Sequence, residues 1–163
     1  MPLRDRAFAL LEADSRARLQ DVRTLFREYA DWLKVDFCLA GFEAELASLP
    51  GAYAPTRGGT LLLAMLADEA AGCVALRALE PGVCEMKRLW VRAPHRSSGL
   101  GTRLAQAVME RARKSGYCTL RLDTLTRMDH AQKLYAKLGF HTVPAYYDNP
   151  LADAIYMETA LQR

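Results

Sequence analysis

Residues 83–104 read VCEMKRLWVRAPHRSSGLGTRL, and what these residues form decides the fold. Val83 to Arg92 carries the β-favouring Val83, Trp90 and Val91 and ends at Ala93-Pro94, where the residue before proline is pushed toward extended geometry. A strand is predicted over 83–92. From Gly99 to Lys114 the period changes: Leu100, Leu104, Val108 and Ala112 recur every fourth residue, and Gly116 follows as a left-handed terminator. That pattern predicts a helix with one buried stripe. Between the two stands Arg96-Ser97-Ser98-Gly99-Leu100-Gly101. Two glycines two apart at a strand-to-helix junction let the backbone approach a ligand, and the helix N-terminus offers unpaired amides and roughly half a positive charge. The ligand chemistry this suits is a phosphate, with Arg96 and Arg103 reinforcing the sign.

Charge along the chain agrees. The 163 residues carry a net +3, yet residues 87–114 hold 8 basic residues against 1 acidic, a local net of +7. Such a field favours an anionic ligand, whether nucleic acid, phosphate or a charged cofactor. Two common phosphate motifs are excluded. No Gly-Lys-Ser/Thr of a Walker loop is present, and a dinucleotide fingerprint needs a third glycine where this chain has Leu104.

Outward from this centre, the chain reads as one continuous α/β arrangement without repeats or linkers. A short strand is predicted near Phe8 to Glu12, then a helix over 15–33 capped by Asp14 or Ser15, then a shorter helix over Phe42 to Leu49 stopped by Pro50-Gly51. Ala52 to Gly59 reads as loop. Thr60 to Ala67 and Cys73 to Leu79 read as antiparallel strands joined through Asp68 to Gly72, with Pro81-Gly82 making the next turn. Beyond the central helix, Cys118 to Asp123 alternates as a half-buried strand. Ala131 to Leu138 forms a short helix ended by Gly139, and Phe140 to Val143 pairs with Ala154 to Ala160. The order β-α-α-β-β-β-α-β-α-β-β implies an α/β (mixed α+β) fold. Its sheet has about seven mostly antiparallel strands, with helices on both faces.

The length is that of one domain, taken as 1–163. Leu61 to Ala67 is the longest apolar run, far short of the roughly 20 residues of a membrane helix. Ala7 to Leu11 is too short for a signal-peptide core. A cytoplasmic protein without membrane association is the expectation. Cys38, Cys73, Cys84 and Cys118 lie far apart without metal-ligand spacing, so they read as buried thiols, and no metal is expected. His95, His130 and His141 form no paired arrangement.

RSSGLG resembles the acyl-CoA pyrophosphate loop of the GNAT superfamily of N-acetyltransferases, whose pattern is [RQ]-x-x-G-x-[GA] between a strand and a helix. Upstream, CEMKRLWV is similar to the strand these enzymes place beside the pantetheine arm. Downstream, AQKLYAKLGF resembles their second cofactor element, in which a helical tyrosine precedes Gly-Phe. The resemblance covers residues 73–143 and implies a small, bacterial-type enzyme that moves an acetyl group from acetyl-CoA directly to a primary amine of a small molecule or peptide. It implies a GNAT-like sheet and a cofactor site formed by Leu89, Trp90, Val91, Arg96, Ser97, Ser98, Gly99, Leu100, Gly101, Thr102 and Arg103. The chain departs from the pattern at Met128, where many members have asparagine seven residues before the tyrosine.

The reaction sets its own demands. An alkyl ammonium with a pKa near 10 leaves about one molecule in a thousand nucleophilic at neutral pH, so a base is needed. Glu85, on the strand next to the expected thioester, is the candidate, acting through a water. Backbone amides at Leu89 to Val91 would, by the resemblance, hold the oxyanion. By the resemblance, Tyr135 protonates the departing thiolate. A covalent route through Cys84 or Cys118 has no neighbouring histidine in the sequence. For the acceptor side, Tyr29, Trp32, Phe37, Tyr146, Tyr147 and Asp148, with Glu28, Asp31 and Asp36, suit a cationic amine. Two other classes are weighed: a CoA-binding regulatory module in which Glu85 is idle, and a nucleic-acid binder using the net +7 segment with Trp90 and Tyr117. The latter has no recognised motif behind it. Homodimerisation is left open.

Overall fold

Long apolar runs separated by tight turns after residue 60 generate the sheet that the rest of the chain covers. The computed structural model describes residues 7–34 and 39–162, without the side chains of residues 39 and 40; Asp36, Phe37 and Cys38 lie outside the described residues. The elements in chain order are β1 (Ala9–Glu12), α1 (Arg16–Leu33), α2 (Leu39–Ser48), β2 (Thr60–Leu66), β3 (Glu69–Glu80), β4 (Val83–Val91), α3 (Leu100–Lys114), β5 (Thr119–Leu125), α4 (Asp129–Lys137), β6 (His141–Val143) and β7 (Ala154–Ala160). The seven strands lie in the order β1-β2-β3-β4-β5-β7-β6, with β4 and β5 parallel and every other neighbouring pair antiparallel. The expected mixed, mostly antiparallel sheet is what the chain forms.

Local chemistry explains most boundaries. Ser15 caps α1 by accepting from the Arg18 amide at 3.2 Å, as an N-cap serine does. Gly116 and Gly139 adopt the left-handed conformation expected of helix terminators, with φ of 87° and 96°. Elsewhere the structure differs from these expectations; α2, for one, starts at Leu39 rather than Phe42. The β2–β3 turn is Ala67-Asp68, so Glu69 to Gly72 belong to β3 rather than to a turn. The small side chains at 70–72 serve close strand contact there: a Cβ on Gly72 would lie 2.7 Å from the Trp90 carbonyl oxygen. The loop after Pro50 contains two single turns of tight helix, Gly51–Tyr53 and Pro55–Arg57. Cys118, expected inside, is exposed, because β5 starts only at Thr119; Cys73 and Cys84 are buried.

Period-2 alternation divides the core into two layers. Leu62, Ala64, Val74, Leu76, Leu120 and Leu122 face α3 and α4, whereas Leu61, Leu63, Cys73 and Ala75 face α1 and α2. On β4 the alternation breaks. Cys84 and Met86 lie in the α3 layer, but Trp90, of the same parity, lies in the α1 layer. The register shows why: Ala75 pairs with Lys87 and Cys73 with Trp90, so Arg88 and Leu89 together oppose Val74. This is a β-bulge, and Arg88 takes a φ of 60° to form it. Among the described residues no helix is long and apolar enough to cross a membrane.

Candidate active site at a fork in the sheet

β4 and β5 are parallel neighbours only over Val83–Glu85 and Thr119–Arg121. Beyond these residues both strands continue, to Val91 and Leu125, without pairing. The bulge at Arg88 and Leu89 follows three residues further along β4 and bends it. The sheet therefore forks, and the β5-facing edge of β4 past Glu85 has no strand to bond, which leaves backbone groups of Met86 to Val91 available to a ligand.

The fork opens into a cavity of about 270 Å³. Met86, Lys87, Arg88 and Leu89 line it from β4, Asp123, Thr124 and Leu125 from β5, and Met128 and Tyr135 from the α4 side. Tyr29, Leu33, Gly41, Phe42 and Glu45 approach from α1 and α2, and Tyr147 with Asn149–Leu151 from the β6–β7 loop. Residues from both faces of the sheet thus meet in one space, because the fork removes the strand pairing that would separate them. A thioester entering from the α3–α4 face and an acceptor entering from the α1–α2 face would come together there.

The predicted phosphate loop sits at the mouth of this fork. A Cβ on Gly101 would touch Leu134 of α4 at 3.4 Å and Val91 of β4 at 3.9 Å. Gly99 is the N-cap of α3, with φ of 83°, and Ser97 also has a positive φ of 64°. A left-handed residue followed by a right-handed one turns successive amides to the same side, making an anion-binding concavity. The amides of Ser97, Ser98, Gly99, Gly101 and Thr102 find no acceptor among the described residues. Leu100 differs: its amide donates to Ser98 Oγ at 3.3 Å and its side chain is buried in the core. The two arginines are placed less directly than the sequence suggested. Arg96 stacks over Trp90 at 4.7 Å and Trp32 at 5.6 Å while its Nε donates to the Val91 carbonyl at 3.0 Å. Arg103 donates to the Phe8 carbonyl at 3.2 Å. The loop amides lack acceptors among the described residues, and each guanidinium commits one nitrogen to a backbone carbonyl. Trp90 packs between Tyr29 and Trp32, so only its backbone faces toward the fork's strand edge.

Tyr135 lines the cavity from α4, 7% exposed, and its hydroxyl takes no hydrogen-bond partner among the described residues. Burial, followed by the nearby Tyr29 and Asp123, raises its pKa well above the usual phenol range, so it is a protonated donor at any physiological pH. Glu85 is placed otherwise. Its side chain has 0% exposure and does not line the cavity. Arg77 Nε donates to Oε1 at 2.8 Å, Tyr146 donates its hydroxyl to Oε2 at 2.6 Å, and the Lys87 ammonium lies 3.6 Å from Oε1. Burial alone would raise the Glu85 pKa, but Lys87, the Tyr146 hydroxyl and Arg77 outweigh it and hold the group below its ordinary 4.5. The structure brings Tyr135 to the fork and leaves Glu85 behind a wall of cations.

The remaining cavity charges include an ion pair that the sequence did not suggest. Arg88 reaches Glu45 through two nitrogens, at 3.1 and 3.2 Å, and Tyr53 donates to the same carboxylate at 3.0 Å. The partners are 43 residues apart, and only the bulge that turns Arg88 toward α2 brings them together. Glu28, expected on the acceptor side, is instead held by Arg92 at 2.7 Å. Met128 occupies the N-cap of α4, where its side chain makes no cap bond; Thr124 Oγ1 approaches its sulfur at 3.6 Å. The described residues contain no cluster of three or more His, Cys, Asp or Glu able to hold a metal ion.

A forked, mixed sheet with an amide-lined loop at the fork's mouth defines the acyl-CoA-dependent acyltransferase class. The sequence model of the Acetyltransferase (GNAT) family matches residues 20–140, so the chain belongs to that family and is an N-acetyltransferase. It is similar to an uncharacterized N-acetyltransferase of Schizosaccharomyces pombe, 35% identical over 146 residues that span 89% of this chain and 90% of that protein. A crystal structure of an acetyltransferase from Streptococcus agalactiae shares the fold with a TM-score of 0.81 at 20% identity, covering 94% of this chain and 98% of that one. Salmonella typhimurium yncA, solved with its cofactor acetyl-CoA, superposes with a TM-score of 0.73 at 17% identity, over 96% of this chain and 95% of that one.

Proposed function

We propose that the protein transfers an acetyl group from acetyl-CoA directly to the primary amine of a small molecule or peptide, with no covalent enzyme intermediate. The single observation that carries this is the fork: two parallel strands that part, leaving an unpaired β4 edge beside a protonated tyrosine whose hydroxyl has no partner among the described residues. The pantetheine arm would bond that edge as a surrogate strand. The diphosphate would rest on the amides of Ser97, Ser98, Gly99, Gly101 and Thr102, aided by the dipole of α3. Backbone donors at Leu89 to Val91 would meet the oxyanion. The neutral amine, its ammonium proton lost to water, bonds through nitrogen to the thioester carbon; the carbon–sulfur bond breaks, Tyr135 gives its proton to the thiolate, and the proton shed by the nitrogen returns to Tyr135 through water. The CoA-bound relative supports the cosubstrate by fold likeness.

Glu85 is better suited to anchoring than to proton abstraction. A carboxylate with two cations and a hydroxyl on it, its pKa held down, is a weak base with no opening to the cavity. It fixes Lys87 and the β6–β7 loop through Tyr146. A direct route also suits the cysteines, since Cys84 is buried with its thiol pushed up to about 12 by desolvation. The test is incubation with acetyl-CoA and a panel of primary amines, following free thiol and product mass. Equimolar thiol and N-acetylated amine are expected; thiol release that no amine accelerates would overturn the proposal.

A further inference from the structure

One carboxylate in the cavity wall makes no ion pair among the described residues. Glu45 pairs with Arg88, and Glu85 with Arg77 and Lys87, whereas Asp123 forms no ion pair among the described residues although it lines the same cavity as Lys87 and Arg88. It is held by neutral groups alone. Tyr147 donates its hydroxyl to Asp123 Oδ2 at 2.9 Å, Asn149 Nδ2 donates to the same oxygen at 3.1 Å, and Asn149 Nδ2 also donates to the Tyr147 hydroxyl oxygen at 2.8 Å. This closed triangle is itself fixed, because Asn149 Oδ1 accepts the Leu151 amide at 2.9 Å. All the loop's bonds go to Oδ2, which leaves Oδ1 without a donor among the described residues, on a carboxylate that lines the cavity. A half-buried carboxylate that is positioned but not neutralised is completed by a cation that arrives with the ligand.

The geometry points to Asp123 as the residue that receives the acceptor's ammonium and selects amines with no carboxylate next to the nitrogen. Asp123 lies on β5 at the fork, where the acetyl group would be presented, so a nitrogen bound to Oδ1 is also beside the reacting carbon. The walls across from it, Tyr29 and Phe42, suit an aromatic or apolar body. An α-carboxylate would bring a second negative charge within a few ångströms of Asp123, while the two cations of the same cavity, Lys87 and Arg88, are already held by Glu85 and Glu45. This inference rests on the acetyltransferase reading for its biological meaning but not for its test.

The test measures binding of 2-phenylethylamine and of phenylalanine, which differ by one α-carboxylate, to the CoA-saturated protein by calorimetry, alongside thiol release from acetyl-CoA. The wild type is expected to bind 2-phenylethylamine at least about tenfold more tightly, the scale of one charge-assisted contact. Asp123→Asn keeps an oxygen for Tyr147 and Asn149 and so keeps the loop in place; it is expected to abolish the preference. Tyr147→Phe, which removes one side of the triangle, is expected to weaken amine binding by a smaller factor. Equal affinities in the wild type, a preference for phenylalanine, binding of neither, or a preference that survives in Asp123→Asn would overturn the inference. Selective binding without amine-dependent thiol release would leave it standing and overturn the acetyltransferase reading instead.

Discussion

Substituting Glu85 by glutamine separates an anchoring role from a catalytic one. The side chain is fully buried and touches Arg77, Lys87 and Tyr146. Glutamine keeps an oxygen for a donor but removes the charge that answers two cations. Lys87 is 16% exposed, so water does little to compensate it, whereas Arg77 at 37% recovers much of its solvation. Breaking a buried pair costs about 3 to 5 kcal/mol, and discounting for the exposed arginine leaves about 2 to 3. At roughly 2 to 4 °C per kcal/mol for a chain of this size, Tm falls by about 5 to 10 °C. Acid dependence should change with it. Because the folded pKa of Glu85 lies below its ordinary 4.5, the wild-type carboxylate contributes full stability above that pH and loses it as pH falls through the folded value. Glu85→Gln lacks this component, so its stability should decline less from pH 5 to pH 3. Urea titrations at several pH values and steady-state rates with acetyl-CoA check both points. An anchor predicts a kcat loss below about tenfold, while loss of a general base costs about 100-fold to 10,000-fold. Unchanged stability with a kcat loss beyond a hundredfold would refute the anchoring argument.

Three further outcomes follow from the same geometry. Tyr135→Phe removes a hydroxyl without a partner among the described residues, so stability should change by less than about 0.5 kcal/mol while kcat drops by about 100-fold or more and the KM for acetyl-CoA holds. Gly99→Val puts a β-branched residue at φ of 83° with open space around its side chain; strain of about 1 to 2 kcal/mol and a higher KM for acetyl-CoA are expected from denaturation and initial rates. Of Cys73, Cys84 and Cys118, a thiol reagent should modify Cys118 first, as peptide mass spectrometry would show, since it alone of the three is exposed.

The fold was legible because its elements are written locally: fourfold spacing in α3, alternation in β5 and a serine cap on α1 each specify an element without reference to the rest of the chain. The phosphate loop was legible for the same reason, being six consecutive residues. What escaped the sequence depends on distant pairings. Asp123 read as the polar alternate of a half-buried strand, and nothing nearby announced that Tyr147 and Asn149, more than twenty residues on, would fold over it. Arg88 and Glu45 likewise meet only because a bulge reverses the parity of β4. Glu85 was placed correctly on the strand near the site, but its isolation from the cavity comes from Arg77 and Tyr146, which approach from another strand and a loop. Those partners are contributed by the topology, and local patterning carries no trace of them.

A crystal structure of the complex would show directly where acetyl-CoA lies. The predicted density runs between β4 and β5, with the diphosphate against the amides of Ser97 to Thr102 and the thioester within hydrogen-bond reach of the Tyr135 hydroxyl. Acetyl-CoA seated elsewhere on the protein, with the fork between the strands unoccupied, would contradict it.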